Sequence, residues 1–166
     1  AERKFSELIV QDPNGPLSLS AQLWLLKSLK HLFRFDDANR VGNELVDAAT
    51  KAGKNMIAGE ALELLGDVAI AQKKLEAALE LYGKSVSVAD DGPLRSSAES
   101  KIGDTFVSKE EYEKAASAYV EVSKYSPDPY SLYTSRLQAA MAYRRIGKYE
   151  TAIEVLKSLE SDYRFM

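Results

Sequence analysis

One histidine, no cysteine and three acidic doublets are the residues that conventional catalysis could draw on. His31 stands alone, so a transition-metal site would have to be completed by carboxylates, and a partly exposed helix residue is the simpler reading. Asp36-Asp37, Asp90-Asp91 and Glu110-Glu111 are spaced like proton-transfer pairs. Each falls at a junction between helical segments, where a carboxylate stabilises the next helix N-terminus by capping and by the helix dipole. Serine is plentiful, but no G-x-S-x-G is present, and a triad would have to recruit His31 without support. The glycines form neither G-x-G-x-x-G nor a Walker A loop, so no phosphate cradle is indicated. The absence of cysteine removes disulfides, thiolate metal sites and thiol nucleophiles together. The residues therefore predict no catalytic centre, no cofactor and no metal, and a chain that is not an enzyme.

Bulk properties narrow the remaining classes. The 166 residues carry a net charge of −3 and a pI near 5.3, which argues against a nucleic-acid partner. A hydrophobic content of 45% is that of a folded globular chain. No stretch reaches eighteen apolar residues, so no direct membrane insertion is expected. The compartment stays open between cytoplasm, slightly favoured, and bacterial periplasm.

The elements that position these side chains are all helical. Pro13, Pro16, Pro93, Pro127 and Pro129 sit in short polar junctions, and alternating β-branched runs are absent. The pattern also repeats. ALELLGDVAIAQKKLEAALELYGKS, SKIGDTFVSKEEYEKAASAYVEVSKYSP and LQAAMAYRRIGKYETAIEVLKSLES align on Ala78, Ala115 and Ala152. QLWLLKSLKHLFRFDDANRVGNEL aligns on Ala38 as a divergent copy. Three residues before each anchor stands Phe35, Leu75, Tyr112 or Tyr149, and twelve before it stands Leu26, Gly66, Gly103 or Ala140. Two helices of a hairpin approach closely only where side chains are small. Gly66, Gly103 and Ala140 are therefore expected to face Ala78, Ala115 and Ala152, with the aromatic Tyr82 or Tyr119 one helical turn further along.

Leucine-glycine, an aromatic, then alanine, aromatic and proline at fixed offsets resemble the tetratricopeptide repeat (TPR). The anchors are 40, 37 and 37 residues apart, against a family period of about 34. The resemblance covers essentially the whole chain and implies an all-α, right-handed superhelix of antiparallel hairpins. It implies one solenoid domain: 1–15 as the second helix of a truncated repeat, 16–54 a divergent repeat, then repeats at 55–92, 93–129 and 130–166. Ala1, Phe5 and Pro13 reproduce the second half of the motif, which predicts a fragment of a longer, bacterial TPR protein.

The resemblance also implies a function: a non-catalytic scaffold or adaptor that binds a partner peptide or helix in a concave groove lined by the first helices. Carried over by offset, the groove residues are Lys27, Lys30 and His31, then Glu60, Glu63 and Asp67, then Lys101 and Asp104, then Met141, Arg144 and Arg145. The bands run basic, acidic, mixed and basic, suited to a partner with a basic centre and acidic flanks. Asp67 and Asp104 stand where a carboxylate clamp would favour asparagine. Exposed solenoid ends would offer a route to self-association. The alternatives are a ligand- or peptide-sensing regulatory domain of a larger protein, and a periplasmic envelope-assembly scaffold. Trp24 is expected in the core, and Tyr125, Tyr130 and Tyr133 in packing between repeats.

Overall fold

The computed structural model describes residues 16–89, 92–125 and 128–163; the first expected helix, at 1–15, lies outside them. The described residues form eight helices and no strand. In chain order they are α1 (Pro16–His31), α2 (Phe35–Lys51), α3 (Asn55–Ala71), α4 (Leu75–Val88), α5 (Gly92–Ser108), α6 (Tyr112–Tyr125), α7 (Pro129–Arg145) and α8 (Tyr149–Tyr163). Proline opens α1 and α7 and is second in α5, where its missing N–H costs nothing and its fixed φ suits the first turn. Asp128 caps α7 by accepting from the Ser131 backbone N–H at 2.9 Å. That bond, together with one from the Ser131 hydroxyl, holds the Asp128 carboxyl below the usual range.

Five of the connections are the same three-residue turn. Its middle residue is left-handed: Phe33 at φ 57°, Gly53 at 65°, Lys73 at 60°, Glu110 at 60° and Gly147 at 75°. In each turn the middle N–H donates three residues back and the next N–H donates five back, as in Phe33 to Lys30 O and Arg34 to Leu29 O. These are Schellman closures, which satisfy the last carbonyls of the outgoing helix. The residue after the left-handed position then accepts the first N–H of the next helix, from Ala38, Ala58, Ala78, Ala115 or Ala152. The anchor alanines thus sit at a fixed distance from each turn, which is why the alignment on them works.

The chain divides into two compact units, residues 1–90 and 91–166. In the first, α1 packs on α2 and α3 on α4, while α3 also lies against α1 and α2. Its core joins Leu26 and Leu29 of α1, Ala38, Val41 and Leu45 of α2, and Ala61, Leu64 and Val68 of α3. In the second, α5 packs on α6, α6 on α7 and α7 on α8. Ala115, Ala116 and Tyr119 of α6 meet Ala139 and Ala142 of α7, with Phe106, Tyr112 and Val155 at the margin.

At two of the small positions the nearest neighbour is the aromatic one turn beyond the anchor. A methyl group on Gly66 would enter the ring of Tyr82, and one on Gly103 the ring of Tyr119. The glycine receives the aromatic four residues beyond the anchor, because a flat ring needs the room that a second alanine would not. The divergent first hairpin exchanges the two sizes: Leu26 fills the small position, and Gly42, at the aromatic position, makes space for Leu65 of α3.

Candidate functional site: the faces of the first helices

Each expected groove residue can now be placed within its own unit. In the first unit, Lys27 and Lys30 lie about one turn apart on α1, and Glu60, Glu63 and Asp67 share one face of α3. Lys27 Nζ donates to Glu60 Oε2 at 3.2 Å, and Lys30 Nζ to Asp67 Oδ2 at 2.8 Å. The other oxygen of Asp67 accepts from the Tyr82 hydroxyl of α4 at 3.0 Å. The basic and acidic bands of the sequence are therefore joined to each other across neighbouring hairpins. Their charges are offset inside the fold rather than displayed. The Lys30 and Asp67 side chains are each less than a quarter exposed, so this pair is less screened than an ordinary surface pair. His31, at the end of α1, is exposed, and Glu63 is half-buried.

The second unit is arranged differently. Between α5 and the start of α7 opens a cleft of about 570 Å³ whose wall is rich in hydroxyls: Ser96, Ser97, Ser100, Ser131, Thr134 and Ser135, with Lys101, Asp104 and Asp128. Tyr119 donates its hydroxyl to Asp104 Oδ1 at 2.6 Å. Burial and that carboxylate push the Tyr119 hydroxyl far above the ordinary tyrosine range, so it remains a donor. Beside it lies a smaller cleft of about 270 Å³, where Asp104 meets Met141 and Arg145. A third, of about 260 Å³, carries Leu137, Met141 and Arg144 together with Tyr149, Ile153 and Leu156 of α8. The structure thus brings Lys101 and Asp104 to one cleft, Asp104, Met141 and Arg145 to the next, and Met141 and Arg144 to the third.

Where the structure describes the acidic doublets, it shows them in ion pairs. Asp37 is bonded to Arg34 at 2.7 Å, and Glu111 to Lys109 and Lys114 at 2.7 and 2.6 Å. Those two lysines hold the Glu111 carboxyl below its ordinary value. Asp36 and Asp37 lie in the first turn of α2 without a side-chain cap, which Arg34 precedes. Their contribution is to the dipole and the ion pair, so the capping expectation is corrected there. Asp90-Asp91 lies outside the described residues. Among the described residues no three His, Cys, Asp or Glu side chains gather as for a metal ion. No described helix is long and apolar enough to cross a membrane.

Comparison with known proteins then bears on the family. Residues 134–164, from the second turn of α7 through the end of α8, match the family model described as tetratricopeptide repeat. Solved structures share the fold at low identity. One is MamA, 20% identical over 96% of this chain and 79% of that one, with a TM-score of 0.68. Another is a putative kinesin light chain with TPR-like repeats from Podosopora anserina, 15% identical over 96% and 84%, TM-score 0.69. A third is pilF of Pseudomonas aeruginosa, 17% identical over 98% and 68%, TM-score 0.68. The segment 134–164 matches a tetratricopeptide repeat, and the fold is that of the TPR-like helical solenoids. No curated protein sequence matches it.

Two expectations about aromatic residues need correction. Trp24 is 57% exposed, with Lys27 Nζ 5.0 Å from the ring centroid, because Leu25, Leu26 and Leu29 take the core-facing positions of α1. Tyr130 and Tyr133, read as packing residues, are exposed, as is Tyr149; only Tyr125 is half-buried, under the Arg95 guanidinium at 4.3 Å. Ser96, Ser131 and Ser135 escape the sequence reading. Their only signal is the density of serine in RSSAES and PYSLYTS, which no motif marks.

Proposed function

We propose that this chain is a non-catalytic protein–protein interaction module that takes an extended segment of a partner protein in the cleft between α5 and α7. The observation that carries this reading is the hydroxyl-lined wall of about 570 Å³. An extended peptide presents unpaired backbone N–H groups, and the Ser131 and Thr134 hydroxyls, whose protons go to Asp128 and to α7 carbonyls, keep lone pairs that can accept from them. The first unit is the weaker candidate, since its inner lysines and acids already bond one another. For the same reason, reversing the charge of Glu60 or Asp67 would disturb the fold along with any binding.

The test is site-specific photocrosslinking in cells producing the chain. A benzophenone amino acid at Ser100 or Thr134 is expected to trap a partner, whereas one at exposed Lys84 on α4 is not. Equal yields at all three positions, or none at Ser100 and Thr134, would remove the cleft from consideration.

A further inference from the structure

In the first unit two ion pairs tie one first helix to the next: Lys27 of α1 to Glu60 of α3, and Lys30 of α1 to Asp67 of α3. Lys27 and Glu60 stand eleven and eighteen residues before Ala38 and Ala78; Asp104 of α5 and Thr134 of α7 stand eleven and eighteen before Ala115 and Ala152. Lys30 and Asp67 stand eight and eleven residues before the same two anchors, and so do Val107 and Met141 before theirs. The second unit keeps these positions together: Asp104 and Thr134 line the larger cleft, and Val107 and Met141 the smaller one. Their chemistry is different. Where the first unit sets charge against charge, the second sets a carboxylate against a hydroxyl, and one apolar side chain against another.

Asp104 is therefore left with a charge that the facing helix does not offset. Its Oδ1 accepts from the Tyr119 hydroxyl at 2.6 Å, and among the described residues no cation is bonded to it. Thr134 donates its own proton back to the Tyr130 carbonyl of α7. Lys101 lies about one turn before Asp104 on α5, but the larger cleft also holds Asp128, so its wall carries two carboxylates to one lysine. Arg145 lines the smaller cleft with Asp104, and no ion pair joins them. Next to Asp104 in that cleft, Val107 and Met141 are 39% and 50% exposed. A carboxylate beside an exposed apolar step complements a side chain with an aliphatic stem and a cationic tip.

We propose that the segment taken by the α5–α7 cleft presents a lysine or arginine, whose cationic end pairs with Oδ2 of Asp104 and whose stem lies on Val107 and Met141. This rests on the cleft reading given above and adds the chemistry of the segment to it. Of the acidic residues on the first-helix faces, Glu60 and Asp67 already hold lysines, and Asp104 is the one that selects an incoming cation.

Short random peptides displayed on phage and selected against the full chain supply the probe. The selected peptides should be enriched in lysine or arginine, and synthetic copies should bind saturably by fluorescence anisotropy. Asp104→Asn should weaken their binding about tenfold, as expected for loss of one hydrogen bond between charged groups. Asparagine keeps an acceptor for Tyr119, so the thermal melt of this variant should match that of the parent. Glutamine in place of the peptide's basic residue should cost the same factor in the parent and nothing further in Asp104→Asn. Ser100→Phe, which fills the cleft from α5, should abolish binding. Peptides that Ser100→Phe blocks, but that lack a basic residue or bind Asp104→Asn equally well, would overturn the cation and leave the cleft in place. Peptides indifferent to both substitutions, or failure to select any peptide, would remove the cleft and the cation together. A dimer in sedimentation that Asp104→Asn dissociates would make the occupant a second copy and also overturn the proposal.

Discussion

Glu99 shows how a single residue can work against the fold that holds it. On α5 it is half-buried, and burial raises its carboxyl above the ordinary value; the charge of Glu121 raises it further, while Arg95 and Lys124 offset part of the effect. The folded chain then binds this proton more tightly than the unfolded chain does. Stability at this site is highest when Glu99 is protonated and declines as pH rises through and above the ordinary carboxylate range. Glu99→Gln should accordingly raise Tm at neutral pH, with the gain vanishing near about pH 3, where unfolded glutamate is also protonated. A gain of the same size at both pH values would mean that ionisation is not its source. Trp24 is the residue at which sequence reasoning fails most plainly. Amphipathic spacing shows which residues share a face, but α1 offers more apolar residues than its core stripe can hold. Leu25, Leu26 and Leu29 are buried, and the larger ring stays out at 57% exposure.

At the scale of the helix, most of the architecture is readable because one turn is used five times. The anchor alanines, the bulky residue three before each, and the short polar connections follow from the same closure, so the amino-acid pattern is enough to locate the hairpins. Which residue fills the gap opposite glycine is not readable in the same way. Periodicity gives positions along one helix but not the offset at which its neighbour crosses. The structure puts the Tyr82 ring against Gly66 and leaves Gly83 in open space. Alanine in place of a helical glycine gains about 0.5–1 kcal/mol from backbone entropy. Gly83→Ala should show that gain as a higher midpoint in urea. At Gly66 the added methyl displaces a buried ring, at a cost of about 1–3 kcal/mol, so Gly66→Ala should lower the midpoint. Stabilisation by both substitutions would mean that Tyr82 can move aside, and that the glycine is not there for the ring.

For the molecule as a whole, the candidate site is legible in its faces and illegible in its distances. Lys27, Lys30, Glu60 and Asp67 all belong to first-helix faces by their spacing, yet nothing in one sequence gives the 2.8 Å between Lys30 and Asp67. A display of charge and an internal ion pair look alike until the third dimension is known. The hydroxyl-lined cleft is equally hidden, since serines spread over two helices form no motif. The tyrosine–aspartate bonds carry a consequence for motion. They recur at an offset of fifteen residues, Tyr82 with Asp67 and Tyr119 with Asp104, and the last pair has Leu156 and Met141 in their place. A hydrogen bond to a carboxylate contributes about 1.5–3 kcal/mol, and the α7–α8 pair lacks it. Local opening should therefore be easier in that pair than in the two that have the bond, and its amides should exchange with deuterium several times faster than those of α3–α4 and α5–α6. Tyr119→Phe should bring the α5–α6 amides toward the faster class, and an unchanged exchange profile would show that these bonds do not set the order of opening. The same two bonds that hold an aromatic ring over its glycine would then also set which hairpins stay closed longest.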